Sequence, residues 1–464
     1  MVLVNTTLAS FMSFLDSNIV VLALPTIVRK LSGTTAFDGV WIILGYSIVA
    51  AVMLLTLGRL GDIYGRVRMY NLGFAVFTVG SALCSISPNG TALVGFRVVQ
   101  GLGSSLIFAN NNAILTDAFP PTERGRAIGI NQVVGIMGSV VGLTVGGVLT
   151  QTLGWRSIFW INIPVGGFST IWAYFRLREL SGKAFAREGM DLLGNLLFAP
   201  GVGLILYALT FGAFAGWSVY DTLIATLGLG LVALFVYMQT RVVYPMMDLR
   251  LFKNRVFLNG IISNLFSSIA RGGVALSLSI FFQGVLLYDA YRAGILMLPY
   301  SLAFVAVGPL SGYLSDRYGP TGFVTAGLVV GSAGLILLAI YSYAPAPAYT
   351  HLVVGMVLTG AGNGMFVAPN IASIMNSVQP TRRGVASGMA TLIYNVGSLF
   401  SVSLIFIVLA TVAPRTELQS LFAGLPVEGG LNERVFGRGV SGVYLLMGLF
   451  NLLALVPSTL RLKR

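Results

Sequence analysis

The sequence predicts an all-α polytopic membrane protein built twice from one unit, and three observations predict it. Charged residues make up 9% of the chain against 56% hydrophobic. A soluble domain carries about 25% charged residues, so this chain cannot solvate a globular surface. Its apolar runs are about twenty residues long, the length a helix needs to cross hydrocarbon. Finally, the polar loop Gly58-Arg-Leu-Gly-Asp62-Ile-Tyr-Gly65-Arg66 recurs as Gly312-Tyr-Leu-Ser-Asp316-Arg317-Tyr-Gly319 at a constant offset of 254, each copy between two apolar runs. Duplication of a membrane unit points to a two-state carrier.

Taken in order, apolar runs bounded by charge, Gly or Pro fall near 1–26, 40–60, 69–88, 92–114, 127–149 and 157–176. Two more lie near 191–212 and 221–240, and six near 257–283, 291–314, 321–342, 350–373, 384–411 and 440–460. The sequence therefore predicts 14 transmembrane helices. The repeat extends to Pro121-Thr-Glu-Arg124-Gly125, echoed by Pro380-Thr-Arg-Arg383-Gly384, and to Gly101-Leu-Gly103, echoed by Gly360-Ala-Gly362, now at an offset of 259. Six spans fill about 176 residues, so an offset of 254 leaves an excess that matches 177–255 and its two spans. The expected plan is 6+2+6: an N-terminal six-helix bundle over 1–176, an inserted pair over 177–255, and a C-terminal six-helix bundle over 256–464.

The net charge of +13 falls in loops between spans and reads as orientation charge, not as a nucleic-acid surface. With both termini cytoplasmic, inner segments hold nineteen of the 28 Lys and Arg and outer segments seven. That bias places the termini inside, in the cell (inner) membrane. The first span starts at Met1 without a basic head, so no cleavable signal peptide is expected. Lone Cys84 and lone His351 offer no disulfide and no metal cluster.

These residues resemble the major facilitator superfamily along most of the chain. Gly58 to Arg68 is similar to its loop 2–3 signature, and Arg97-Val-Val-Gln100-Gly101-Leu-Gly103 to its fourth-span motif. Leu15-Asp16-Ser-Asn-Ile-Val-Val-Leu-Ala-Leu-Pro25, Trp155-Arg156-Ser-Ile-Phe-Trp-Ile-Asn162-Ile-Pro164 and Asp191-Leu-Leu-Gly194 resemble marks of the fourteen-span drug:proton antiporters, the multidrug-efflux branch. The resemblance implies the major facilitator fold and alternating access. It also implies that the repeated loops latch a cytoplasmic gate through ion pairs. Arg66 and Arg124 are the candidate partners of Asp62, and Arg317 or Arg383 those of Asp316. In span five Leu143 stands where the antiporter motif has proline. Gly138, Gly142, Gly146 and Gly147 still offer a small-residue stripe for close helix packing.

Asp16 is the only acid well inside a span, and an embedded carboxylate is costly enough to be a candidate proton and substrate site. The bland reading is a structural hydrogen bond. Arg97 matches its depth and is the candidate partner, against the alternative of snorkelling to the outer interface. Gln100, Ser104, Phe108 and Asn111 follow at helical spacing, either as a cavity-facing stripe or as helix–helix contacts. Arg271, central in span nine, is open to four readings: binding an anionic group, repelling a second cation, pairing with Asp16, or holding backbone carbonyls. Tyr46, Trp41, Phe281, Phe282 and Tyr394 are candidates for a greasy pocket or for packing.

The sequence thus predicts a proton-coupled exporter of small amphipathic hydrophobic compounds, monovalent cationic or neutral, embedded as a monomer in the lipid bilayer. Beyond the proton as coupling ion it predicts no cofactor, and no nucleotide loop or nucleophile–base set marks an enzyme. The alternatives are an importer or a lipid or metabolite carrier on the same fold, and less strongly a non-transporting membrane sensor.

Overall fold

The computed structural model describes residues 1–120, 123–177, 191–243, 245, 247–343, 349–379, 383–412 and 436–461. Among them the chain is nearly all helix, without a strand, and thirteen helices are long and apolar enough to cross a membrane. The N-terminal helices are α1 (Val2–Lys30), α2 (Ala36–Tyr64), α3 (Arg66–Ser85), α4 (Gly90–Ala118), α5 (Arg124–Thr152) and α6 (Ser157–Arg176). Then come α7 (Leu192–Ala215) and α8 (Val219–Gln239). The remainder are α9 (Arg255–Val285), α10 (Leu298–Tyr318), α11 (Pro320–Tyr343), α12 (Tyr349–Asn376), α13 (Arg383–Val412) and α14 (Gly437–Leu460).

Short polar signals start these helices. Thr35 and Asp38 form a reciprocal capping box at α2, and the Asn89 side chain accepts the Ala92 N–H at 2.8 Å to open α4. The Asp191 carboxylate accepts the Gly194 N–H at 2.7 Å, so the Asp191–Gly194 motif is physically a helix cap. Asn254 accepts from the N–H groups of Val256 and Phe257 at the start of α9. The two copies of the repeated loop turn alike. Gly65 closes α2 at φ +108° and Gly319 closes α10 at φ +88°, a region that only glycine occupies without strain.

The chain forms two compact units. One comprises Met1–Ile205 with Thr226–Met246, the other Leu206–Ala225 with Met247–Arg464. In the first, α1 packs on α5 and α4 on α2 and α3; in the second, α12 packs on α10 and α11, α11 on α14, and α9 on α13. Large apolar side chains point outward: Tyr174 is 73% exposed, Tyr220 77% and Leu227 59%. Such surfaces suit lipid and not water. Without a hydrophobic drive between helices, close packing of small residues holds each unit together.

The glycines do this in matched pairs. A Cβ on Gly73 of α3 would lie 3.0 Å from the Gly103 carbonyl of α4, and one on Gly327 of α11 would lie 2.7 Å from the Gly362 carbonyl of α12. Gly327 is Gly73 shifted by 254, and Gly362 is Gly103 shifted by 259. The expected stripe on α5 packs on α1. Gly138, Gly142 and Gly146 face the backbone of Phe11, Leu15 and Ile19, four residues apart on both helices and flanking Asp16. Gly147 beside them is buried. Helix α5 runs unbroken through the buried Leu143, which leaves no proline kink there.

Candidate functional site

In the first unit the chain buries a charged cluster between two apolar ones. On one side lie Leu15, Ile19, Trp155, Ile158 and Phe159, and on the other Met12, Tyr46, Phe74 and Phe77. Between them the Asp16 carboxylate of α1 is fully buried and pairs with the Arg97 guanidinium of α4 at 2.7 Å. Gln100, one turn beyond Arg97, donates to the other Asp16 oxygen at 2.9 Å and accepts from Arg97 at 2.6 Å. Asn162 of α6 donates to that oxygen at 2.7 Å. Ser81 of α3 accepts from both Gln100 (3.2 Å) and Asn162 (3.1 Å) and donates to the Phe159 carbonyl.

Arg97 is 1% exposed, which removes the snorkelling alternative. Its Nε donates to the Ile42 carbonyl at 3.2 Å, and its guanidinium lies 4.0 Å from the centroid of the Tyr46 ring. The Tyr46 hydroxyl donates to Ser104 at 2.8 Å. Four helices thus supply the charges and donors and a fifth, α2, supplies the aromatic floor. The arrangement compensates a charge pair that is otherwise expensive to bury. The rest of the α4 stripe bonds helix to helix. Asn111 donates to Ser10 of α1 at 2.7 Å, and Phe108 meets Phe14 edge-on with centroids 5.5 Å apart.

Asn162 and Ser81 were not singled out by sequence reasoning. Asn162 lies inside the Trp155–Pro164 stretch, whose residues carried only a family resemblance. Asp117 was also missed. It ends α4 and pairs with Arg66 of the first repeated loop at 2.8 Å. The side chains of Asp62, Arg124, Asp316 and Arg383 lie outside the described residues. Arg317 stacks on Tyr318 at 5.7 Å. Gly58 and Gly312 face the equivalent Ala109 and Ala368, whose Cβ atoms would lie 3.5 and 3.4 Å from an added Cβ.

In the second unit Arg271 is half-buried where α9 loosens at Gly272 and Gly273. Its guanidinium lies 4.4 Å from the Tyr394 ring centroid of α13. Phe281 and Phe282 are fully buried against one another, so they are packing residues. Beyond the last span, Arg461 is 8% exposed and donates to the Asn259 carbonyl at 3.0 Å and Asn370 Oδ1 at 2.7 Å. Burial pushes this guanidinium down to about 10.

The Major Facilitator Superfamily model matches residues 6–402 and again 260–463, so both repeats are recognised. The chain is 35% identical over 412 residues to the multidrug resistance protein Stp of Mycobacterium tuberculosis, covering 88% of this chain and 75% of that one. It is 32% identical to the riboflavin transporter RibZ of Clostridioides difficile, covering 85% and 84%, and 31% identical to the drug efflux pump JefA of M. tuberculosis, covering 87% and 79%. Among solved structures, a bacterial homologue of the human lysosomal transporter Spinster shares the fold at a TM-score of 0.71 with 17% identity, covering 99% of this chain and 96% of that one. The duplicated helices, the matched turns and the relatives agree: this chain belongs to the Major Facilitator Superfamily and is a multi-pass membrane transporter, not an enzyme.

Proposed function

We propose that the protein is a proton-coupled exporter of amphipathic hydrophobic compounds, working by alternating access as a monomer in the cell membrane with both termini cytoplasmic. We place it with the fourteen-span drug:proton antiporters in a 6+2+6 plan (1–176, 177–255, 256–464), the 29-residue α5 serving as a span beside the other thirteen. The single observation that carries the reading is the buried Asp16–Arg97 pair. Protonating Asp16 cancels its attraction to Arg97 and leaves a buried cation held by Gln100, the Ile42 carbonyl and the rings of Tyr46 and Phe159. A dry site magnifies that change, so one proton can bias the unit between two packings. Gly65, Asp62, Arg66 and Arg124 in one half, and Gly319, Asp316, Arg317 and Arg383 in the other, are proposed as the cytoplasmic latches. Relatives named as a multidrug resistance protein and a drug efflux pump support export of such compounds.

Proteoliposomes with an imposed pH gradient and a broad substrate panel test this. Substrate should move against the proton flow, and proton release on substrate addition should vanish in Asp16→Asn. Release that survives excludes Asp16 as the carrier, and uptake together with protons excludes export. A second reading, an importer or metabolite carrier, is favoured by the unkinked α5 at Leu143 and by the relative named as a riboflavin transporter. The same gradient experiment separates the two.

A further inference from the structure

The two repeats build the same frame around different charge sets. Tyr46 shifted by 254 is Tyr300, and Ser104 shifted by 259 is Asn363. The Tyr46 hydroxyl bonds Ser104 at 2.8 Å, and the Tyr300 hydroxyl accepts from Asn363 at 3.3 Å. A Cβ on Gly101 would strike the Tyr46 carbonyl and one on Gly360 the Tyr300 carbonyl, so helix seats on helix alike in both. Within that frame the first unit sets a cation, Arg97, on the Tyr46 ring and neutralises it with Asp16. The second unit also sets a cation, Arg271, on a tyrosine ring, that of Tyr394. Residue 270, where the shift of 254 carries Asp16, is alanine, and no acid lies in the middle of any span of this unit.

Among the described residues Arg271 therefore has no counter-ion. Its guanidinium makes no hydrogen bond or ion pair among the described residues, and its buried Nε has no partner. It lies sixteen residues after Arg255 and fourteen before Val285, about 24 and 21 Å at 1.5 Å per residue, so neither interface is within reach of a snorkelling side chain. Arg271 and Tyr394 are both near enough to Tyr300 to act on it electrostatically, and the Tyr300 hydroxyl, accepting from Asn363, still has its own hydrogen to donate. A mid-membrane cation without a counter-ion among the described residues, held on the Tyr394 ring and within electrostatic range of a hydroxyl that can still donate, suits an anion.

We propose that Arg271 and Tyr300 bind the anionic group of an amphipathic monoanion, a carboxylate or sulfonate on an apolar body, which takes the place that Asp16 holds in the other repeat. The inference rests on the transport reading but changes the substrate class. The expectation of a monovalent cationic or neutral compound rested on the single embedded carboxylate, which Arg97, Gln100 and Asn162 already engage.

Three probes with one apolar body and different heads test it: 1-pyrenebutyric acid, 1-pyrenebutanol and 1-pyrenebutylamine. Binding to the purified full chain is read by energy transfer from protein tryptophan to pyrene. The acid should bind at least about ten-fold tighter than the alcohol, the lower end of what one charge-assisted hydrogen bond supplies, and tighter still than the amine. Arg271→Gln should abolish that preference, Arg271→Lys should keep most of it, and Tyr300→Phe should reduce it several-fold. Equal binding of the three probes by the wild type overturns the proposal without any variant, as does an unchanged preference in a monodisperse Arg271→Gln protein. Gradient-driven movement of the same probes in proteoliposomes keeps the two readings apart. A charge preference in binding with no transport sinks the exporter and leaves the anion site standing, while transport indifferent to the head group does the reverse.

Discussion

Asp16 and Arg97 are 81 residues apart in the chain and 2.7 Å apart in space. Every hydrogen-bonding partner of the carboxylate is neutral or positive, so the pair behaves as one unit. Removing one partner strands the other charge in a low-dielectric interior, which costs about 3–5 kcal/mol in comparable buried pairs. Asp16→Leu or Arg97→Leu should therefore lower the thermal melting point of the purified protein sharply. The double variant Asp16→Leu with Arg97→Leu should lose much less than the sum of these two single losses, and additive losses would show the charges are not coupled. The candidate pair was legible from composition, because charges inside spans are rare. Asn162 and Ser81 were not, because an uncharged polar residue in a span carries no such signal.

At the scale of the helix, α1 and α5 touch through their backbones. A side chain on Gly142 would place its Cβ 2.7 Å from the Leu15 carbonyl, so Gly142→Val must push the two helices apart beside Asp16. We expect a marked drop in melting temperature together with loss of substrate-induced proton release, whereas Gly95→Ala, with open space at its Cβ, should be neutral. The loop glycines act differently, through backbone angle. Gly65→Ala and Gly319→Ala should each destabilise by about 1 kcal/mol or more, because both hold positive φ. Melting curves of the two variants should shift alike if the loops are true equivalents. The glycine spacing was readable in the sequence, but not which helix each stripe meets.

For the molecule as a whole, the charge bias between loops is the basis for the proposed orientation, with both termini cytoplasmic. Cys84 is buried, so the protein's own thiol is shielded from a water-soluble reagent. In a Cys84→Ser background, Ser32→Cys in the first loop should react with a membrane-impermeant maleimide in intact cells. Lys253→Cys should react only after the cells are opened. Reversed labelling would invert the topology. Arg461 shows the limit of charge counting, since an arginine beyond the last span is folded into the second unit on Asn259 and Asn370.

Class, duplication and the identity of the intramembrane charges were all written in the sequence. Each follows from a local property: the length of an apolar run, a fixed offset, or a charge where charge is expensive. The tertiary structure decided which charges are spent on one another. Asp16 is neutralised within its own unit while Arg271, on the equivalent frame, is not. Partnership depends on which helix faces meet, and that is set by the close seating of small residues on distant helices, which periodicity along one chain does not record.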